Sequence, residues 1–165
     1  MPTGHAPHKE YGGWEMTMHR CEMVRLAIEG NDHFSLSTYE VDRKEINYTY
    51  QTLQAVQEQY PDAELYFILG ADSLFCFEQW KCPEQIARRA VILAAVRDSL
   101  TESRVDNQIQ LLKEMYDGQI YRLNTPNFNV SSKIIRQRCK KGETIRYMIP
   151  EKVKNYIEKN GLYIV

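Results

Sequence analysis

The run VSSKIIR, residues 130–136, sets two hydroxyls and a guanidinium at helical spacing. Ser131 and Ser132 stand at a helix start, where free backbone N–H groups and the helix dipole favour an anion. Arg136 follows Ser132 by four residues, so both project from one face within a single turn. Hydroxyl, amides and guanidinium meeting at one spot would hold a phosphate. The same residues also fit a plain serine cap followed by a solvated arginine.

Three further stretches carry chemistry of a related kind. GAD, residues 70–72, comes directly after the apolar run LYFILG. Gly70 permits close approach of a ligand to the backbone, and Asp72 is placed either to accept from ribose hydroxyls or to cap a following helix. In the opening MPTGHAPHKE, His8 and Lys9 are either cations for phosphate or exposed loop residues without a task. Trp80, in FEQWKCP, is either core or an indole displayed to stack on a flat heterocycle.

Elements of alternating type must position these residues. Periodicity predicts a helix over 14–29 with Cys21, Val24, Ala27 and Ile28 on one face, then a strand over 34–41. Asn47 and Thr49 are candidate caps of a helix ending at Pro61, with Leu53, Val56 and Tyr60 inward. LYFILG (65–70) and AVILAAV (90–96) read as parallel strands covered on both faces. Pro83 opens a helix to Arg89; a helix over 101–116 ends before Gly118, and Ile120 to Leu123 is a brief strand. Helices over 131–140 and 150–159 close the chain, the second ending at Gly161. The fold class is therefore α/β, a Rossmann-like parallel sheet with flanking helices and a C-terminal helical tail. Ligands of such sheets bind beyond the carboxyl ends of the strands.

Composition sets the limits. The chain has 165 residues, 43% apolar and 26% charged, which is ordinary for one soluble domain. A net charge of −1 gives no global field for nucleic acid, and the cluster Lys133, Arg136, Arg138, Lys140 and Lys141 reads as phosphate capture plus a solvated helix face. The longest apolar run, Ala90 to Val96, is too short for a bilayer, and the first residues lack the apolar core of a signal peptide. Four scattered cysteines, with no C-x-x-C pair, read as thiols of a cytoplasmic protein; counting alone leaves disulfides open.

In order and spacing these motifs resemble one family, bacterial nicotinate-nucleotide adenylyltransferase of the nucleotidyltransferase superfamily. PTGHAPHK resembles its P-x-x-x-P-P-H-K loop, with Ala6 for one proline. INYTYQTL (46–53) is similar to S-Y-T-x-D-T-L, with Asn47 and Gln51 as departures. FILGADSL resembles its strand and G-A-D turn, QWK its tryptophan loop, and VSSKIIR its I-S-S-T-x-I-R, with Lys133 in the threonine's place. The tail IRYMIPEKVKNYIEKNGLY matches almost throughout.

The resemblance implies transfer of AMP from ATP to nicotinate mononucleotide, giving nicotinic acid adenine dinucleotide and pyrophosphate with Mg²⁺. It implies ATP binding by Gly70, Asp72, Ser131, Ser132 and Arg136, phosphate contacts from His8 and Lys9, and mononucleotide binding by Thr49, Trp80 and Lys81. It implies no protein metal ligand, no nucleic-acid or membrane partner, and leaves homo-oligomerisation open. The family's opening strand, its G-G-T-F-D-P-x-H-x-G-H loop, a helix and a second strand are not found in this sequence. The expectation is a single nucleotidyltransferase domain over 1–165 lacking its first strand–helix–strand unit and its catalytic histidine pair, hence weak in binding and turnover. Two alternatives remain at this stage: a fragment that is inactive or only binds nucleotide, and another adenylyl- or cytidylyltransferase of the same fold.

Overall fold

LYFILG is a strand, β1 (Leu65–Gly70), in the computed structural model, which describes residues 1–4, 13–43, 45–96, 102–125 and 130–164. Two parallel strands follow in the order β1-β2-β3, namely β2 (Ala90–Ala95) and β3 (Ile120–Leu123). Leu65 pairs with Ala90 and Ile92 with Ile120 in register. The described chain divides into two compact units, one of Asn47–Phe128 and one of Met1–Ile46 with Asn129–Val165.

In the first unit the apolar runs do what their composition demands: they put one face of the sheet on a core. Leu69, Ile92 and Ile120 pack there with Leu74, Phe77 and Leu112. The helices of this unit are numbered with those of the whole chain: α3 (Thr49–Gln59), α4 (Ala71–Phe75), α5 (Pro83–Arg89) and α6 (Glu102–Tyr116). Leu53 is the buried residue of α3, and Val105, Ile109 and Leu112 form the buried stripe of α6 at helical spacing.

Cover on both faces holds for β2, where adjacent Val91 and Ile92 are both buried. It fails for β1. Tyr66 and Ile68, on the face away from the core, are 58% and 61% exposed. β1 is an end strand of the described sheet, as β3 is, and the helices sharing its core residues lie on the other face.

Local chemistry explains the boundaries. Pro83 occupies the first turn of α5, where its missing N–H costs nothing. Gly118 follows α6 as expected, but for a different reason than a left-handed cap. Asp117 takes the positive φ of 49°, whereas a Cβ on Gly118 would meet the Ala87 Cβ at 3.0 Å. Asn47 and Thr49 do not cap α3: the N-cap is Tyr48, without a side-chain bond, Thr49 is already helical, and Asn47 is buried. The helix ends at Gln59, before the residue that precedes Pro61, and Tyr60 lies outside it, 54% exposed rather than inward.

The second unit contains α1 (Gly13–Ile28), α2 (Tyr39–Asp42), α7 (Ser132–Lys140) and α8 (Glu151–Lys159). Ile135, Val153, Ile157 and Leu162 form its core, joined by Met23 and Leu26 of α1. His19 Nδ1 lies 2.8 Å from the Tyr156 hydroxyl, and Lys152 pairs with Glu29 at 3.1 Å, so α1 is held to α8 by polar as well as apolar contacts. Gly161, at φ +58°, supplies the left-handed turn after α8.

The strand expected over 34–41 is not one. No ladder pairs it among the described residues, and Phe34 is 61% exposed. Instead the Thr38 carbonyl accepts from the amides of Val41 and Asp42, and its hydroxyl donates to Asp42 at 2.7 Å, starting the single turn α2. Local side-chain bonding wins where no partner strand rewards extension. Among the described residues no helix is long and apolar enough to cross a membrane.

Candidate functional site

Ser131 is the N-cap of α7. Its backbone is extended (φ −130°, ψ 156°) and its Oγ accepts from the Ile134 amide at 3.2 Å. The cap reading of this serine is therefore correct, and it leaves the earlier first-turn amides pointing outward. Ser132 and Arg136 are exposed one turn apart, and with Ser131 they line a cavity of about 540 Å³. Its body is apolar, walled by Val24 and Ala27 of α1, Ile149, and Val153 of α8. A space of this size, mostly apolar with a few polar groups on one side, is typical of small-molecule sites. Replacing Ser131 by alanine is expected to cost about 1 kcal/mol of stability, read as a lower urea midpoint at unchanged slope.

Two residues that sequence reasoning passed over line the same cavity, Arg20 and Tyr163. Burial raises the Tyr163 phenol above its ordinary pKa, while the positive charges of Arg136 and Arg20 oppose that rise. Both guanidiniums therefore act on one hydroxyl. The signal was present in α1: Arg20 lies one turn before Val24 and two before Ala27, on the face read as purely apolar.

In the other unit, Gly70 ends β1 and is the N-cap of α4, with no side-chain bond to the cap. Nothing lies within 4 Å of where its Cβ would be, so the backbone there is open to a ligand. Asp72 is an exposed residue of the first turn of α4 and has no hydrogen bond to a described residue. The capping alternative for Asp72 is thus set aside. Helix α4 is followed by a 3₁₀ turn over Phe77–Gln79.

Trp80 ends that 3₁₀ turn, half-buried. Its indole lies 5.6 Å from the Phe77 ring and 6.1 Å, edge-on, from Phe67. It is anchored on the core yet not sealed in it. Lys81 beside it is exposed, and Cys82 takes a left-handed backbone (φ 51°) before Pro83, which turns the chain sharply after the indole. Thr49 opens α3, half-buried, and its neighbour Tyr50 packs on the same core as Trp80. His8 and Lys9 lie outside the described residues.

The remaining groups are quieter. Arg138 is held by Glu143 at 3.2 Å and the Thr144 carbonyl at 2.8 Å, so it leaves the basic cluster for a structural role. The described cysteines are free, Cys21 buried and Cys76 exposed, and burial pushes the Cys139 thiol up. No three His, Cys, Asp or Glu side chains among the described residues gather where they could hold a metal ion.

A parallel sheet with an open glycine turn after β1 is an arrangement of nucleotide-binding α/β proteins, and a serine-capped helix bearing an arginine one turn on is an arrangement that holds phosphate. The model of the family described as cytidylyltransferase-like matches residues 1–138. A probable nicotinate-nucleotide adenylyltransferase of Lachnoclostridium phytofermentans is 43% identical over 146 residues, 88% of this chain and 73% of the relative. The nicotinate-nucleotide adenylyltransferase of Bacillus subtilis is 33% identical over 163 residues, 99% of this chain and 80% of the relative. The chain belongs to the nicotinate-nucleotide adenylyltransferase family. Among solved structures, the Plasmodium falciparum nicotinic acid mononucleotide adenylyltransferase complexed with NaAD shares the fold, with a TM-score of 0.70 at 20% identity over 96% of this chain and 78% of that one.

Proposed function

We propose that this chain transfers AMP from ATP to nicotinate mononucleotide, forming nicotinic acid adenine dinucleotide and pyrophosphate in NAD biosynthesis in the cytoplasm. The observation that carries the reading is the Ser131–Ser132–Arg136 set on one cavity, in a chain 43% identical to a relative of that name. An oxygen of the mononucleotide phosphate attacks the α-phosphorus of ATP. The bond from that phosphorus to the bridging oxygen of the β-phosphate breaks, and pyrophosphate leaves with the electron pair. The attacking phosphate is already ionised at neutral pH, so the reaction asks the protein for position and charge rather than a nucleophile.

Each candidate residue has a task in that scheme. Ser132, the first-turn amides of α7 and Arg136 hold the polyphosphate, the guanidinium by paired N–H donors. Gly70 lets the nucleoside approach the backbone, and Asp72 accepts from its ribose hydroxyls. Trp80 stacks on the nicotinate ring, the Thr49 hydroxyl meets the ring carboxylate, and Lys81 adds a positive charge beside it. His8 and Lys9 add charge for the phosphates. Mg²⁺ would be carried in by the phosphates of ATP. There it would neutralise part of their charge.

Incubation of the chain with ATP and either nicotinate mononucleotide or pantetheine phosphate, side by side, tests the assignment. Consumption of the mononucleotide alone supports it. Consumption of pantetheine phosphate in its stead would transfer the chain to another branch of the superfamily.

A further inference from the structure

The phosphate reading uses Ser131, Ser132 and Arg136, yet the cavity they line receives a second guanidinium. Arg20 reaches it from α1, and Pro2, from the opening segment, lines it as well. Arg20 donates through Nη1 to the Thr3 carbonyl at 2.8 Å and through Nη2 to the Thr17 hydroxyl at 3.0 Å. The guanidinium therefore ties residue 3 to α1, and the same side chain lines the cavity. A planar guanidinium holds both partners in a fixed fork, a geometry that an ammonium does not reproduce. Tyr163, whose phenol feels both Arg136 and Arg20, places the two charges around one spot.

We propose that Arg20 is a positioning residue for polyphosphate binding, fixing the opening segment through Thr3 while adding a second positive charge to the cavity of Ser131, Ser132 and Arg136. The inference rests on the phosphate reading of that cavity and goes beyond it. Two guanidiniums meeting one flexible anion explain why a charged side chain is kept on an otherwise apolar face of α1, next to Met23, Val24 and Ala27. The cost of bringing it there is offset by the hydrogen bonds to Thr3 and Thr17.

The test is titration calorimetry of the full chain with inorganic tripolyphosphate and, separately, with adenosine. Arg20→Gln is expected to weaken tripolyphosphate binding about tenfold, as loss of one charge-assisted contact should, and to leave adenosine binding unchanged. Arg20→Lys keeps the charge but not the fork, and an intermediate loss of about threefold is expected. Arg136→Gln serves as the control for the cavity itself. If it weakens tripolyphosphate while both Arg20 variants bind as the parent does, the role of Arg20 is overturned and the phosphate reading stands. If the parent chain fails to bind tripolyphosphate, both fall together. Should Arg20→Gln not fold, Thr17→Val keeps the charge and removes one anchor; a loss of about threefold supports the positioning role, and parent-like binding overturns it.

Discussion

Arg136→Ala is expected to lower kcat/KM for ATP about a hundredfold, with little change in stability. The size follows from what the side chain does. A guanidinium meeting a polyphosphate through paired donors contributes roughly 2–3 kcal/mol, and each 1.4 kcal/mol is a factor of ten. Stability should barely move because Arg136 is exposed on α7 and the helix core depends on Ile135 instead. Arg136→Lys is expected to recover part of the loss and no more, since a point charge does not reproduce the fork. Measurement of kcat/KM for ATP alongside a urea melt separates the two roles. A variant that loses stability in proportion to activity would make Arg136 a structural residue.

Trp80→Ala is expected to act twice. The indole leans on Phe77 and Phe67 with one side on the core, so truncation should cost about 2–3 kcal/mol of stability, below the value for a fully buried tryptophan. It also removes the surface proposed for the nicotinate ring, and the KM for the mononucleotide is expected to rise about tenfold. Trp80→Phe distinguishes these. Phenylalanine keeps most of the packing, so stability should return while the mononucleotide KM stays raised. If Trp80→Phe restores both, the indole is simply core. If the KM for ATP rises as much as that for the mononucleotide, the two substrates have been assigned to the wrong residues.

How much of this was legible beforehand depended on whether a signal was local. The strands β1 and β2 were, because continuous apolar runs have few other uses, and α5 was announced by Pro83. The serine cap of α7 was visible for the same reason: its hydrogen bond spans only three residues, Ser131 to Ile134. What failed was whatever a distant neighbour decides. Residues 34–41 alternate like a strand, but no strand lies alongside them among the described residues, and the Thr38–Asp42 bond settled the matter locally. Ile68 looked buried because its run is apolar, yet it stands exposed on the face of β1 turned away from the core.

The site divides in the same way. The motif residues were found by order and spacing, since a phosphate-holding helix start must read serine first and arginine a turn later. Arg20 was missed because, apart from Thr17 one turn back, its partner is the distant Thr3 carbonyl and the cavity it lines is completed by other elements. Asp72 kept two readings until the structure showed Gly70, not Asp72, at the cap of α4.

The most direct test of the central claim is product formation by the full chain. With ATP, Mg²⁺ and nicotinate mononucleotide present together, nicotinic acid adenine dinucleotide and pyrophosphate are expected in equal amounts. Neither should form when one nucleotide is withheld, and Arg136→Ala should suppress both. Absence of the dinucleotide under these conditions, with no heat of ATP binding by calorimetry, would contradict the account.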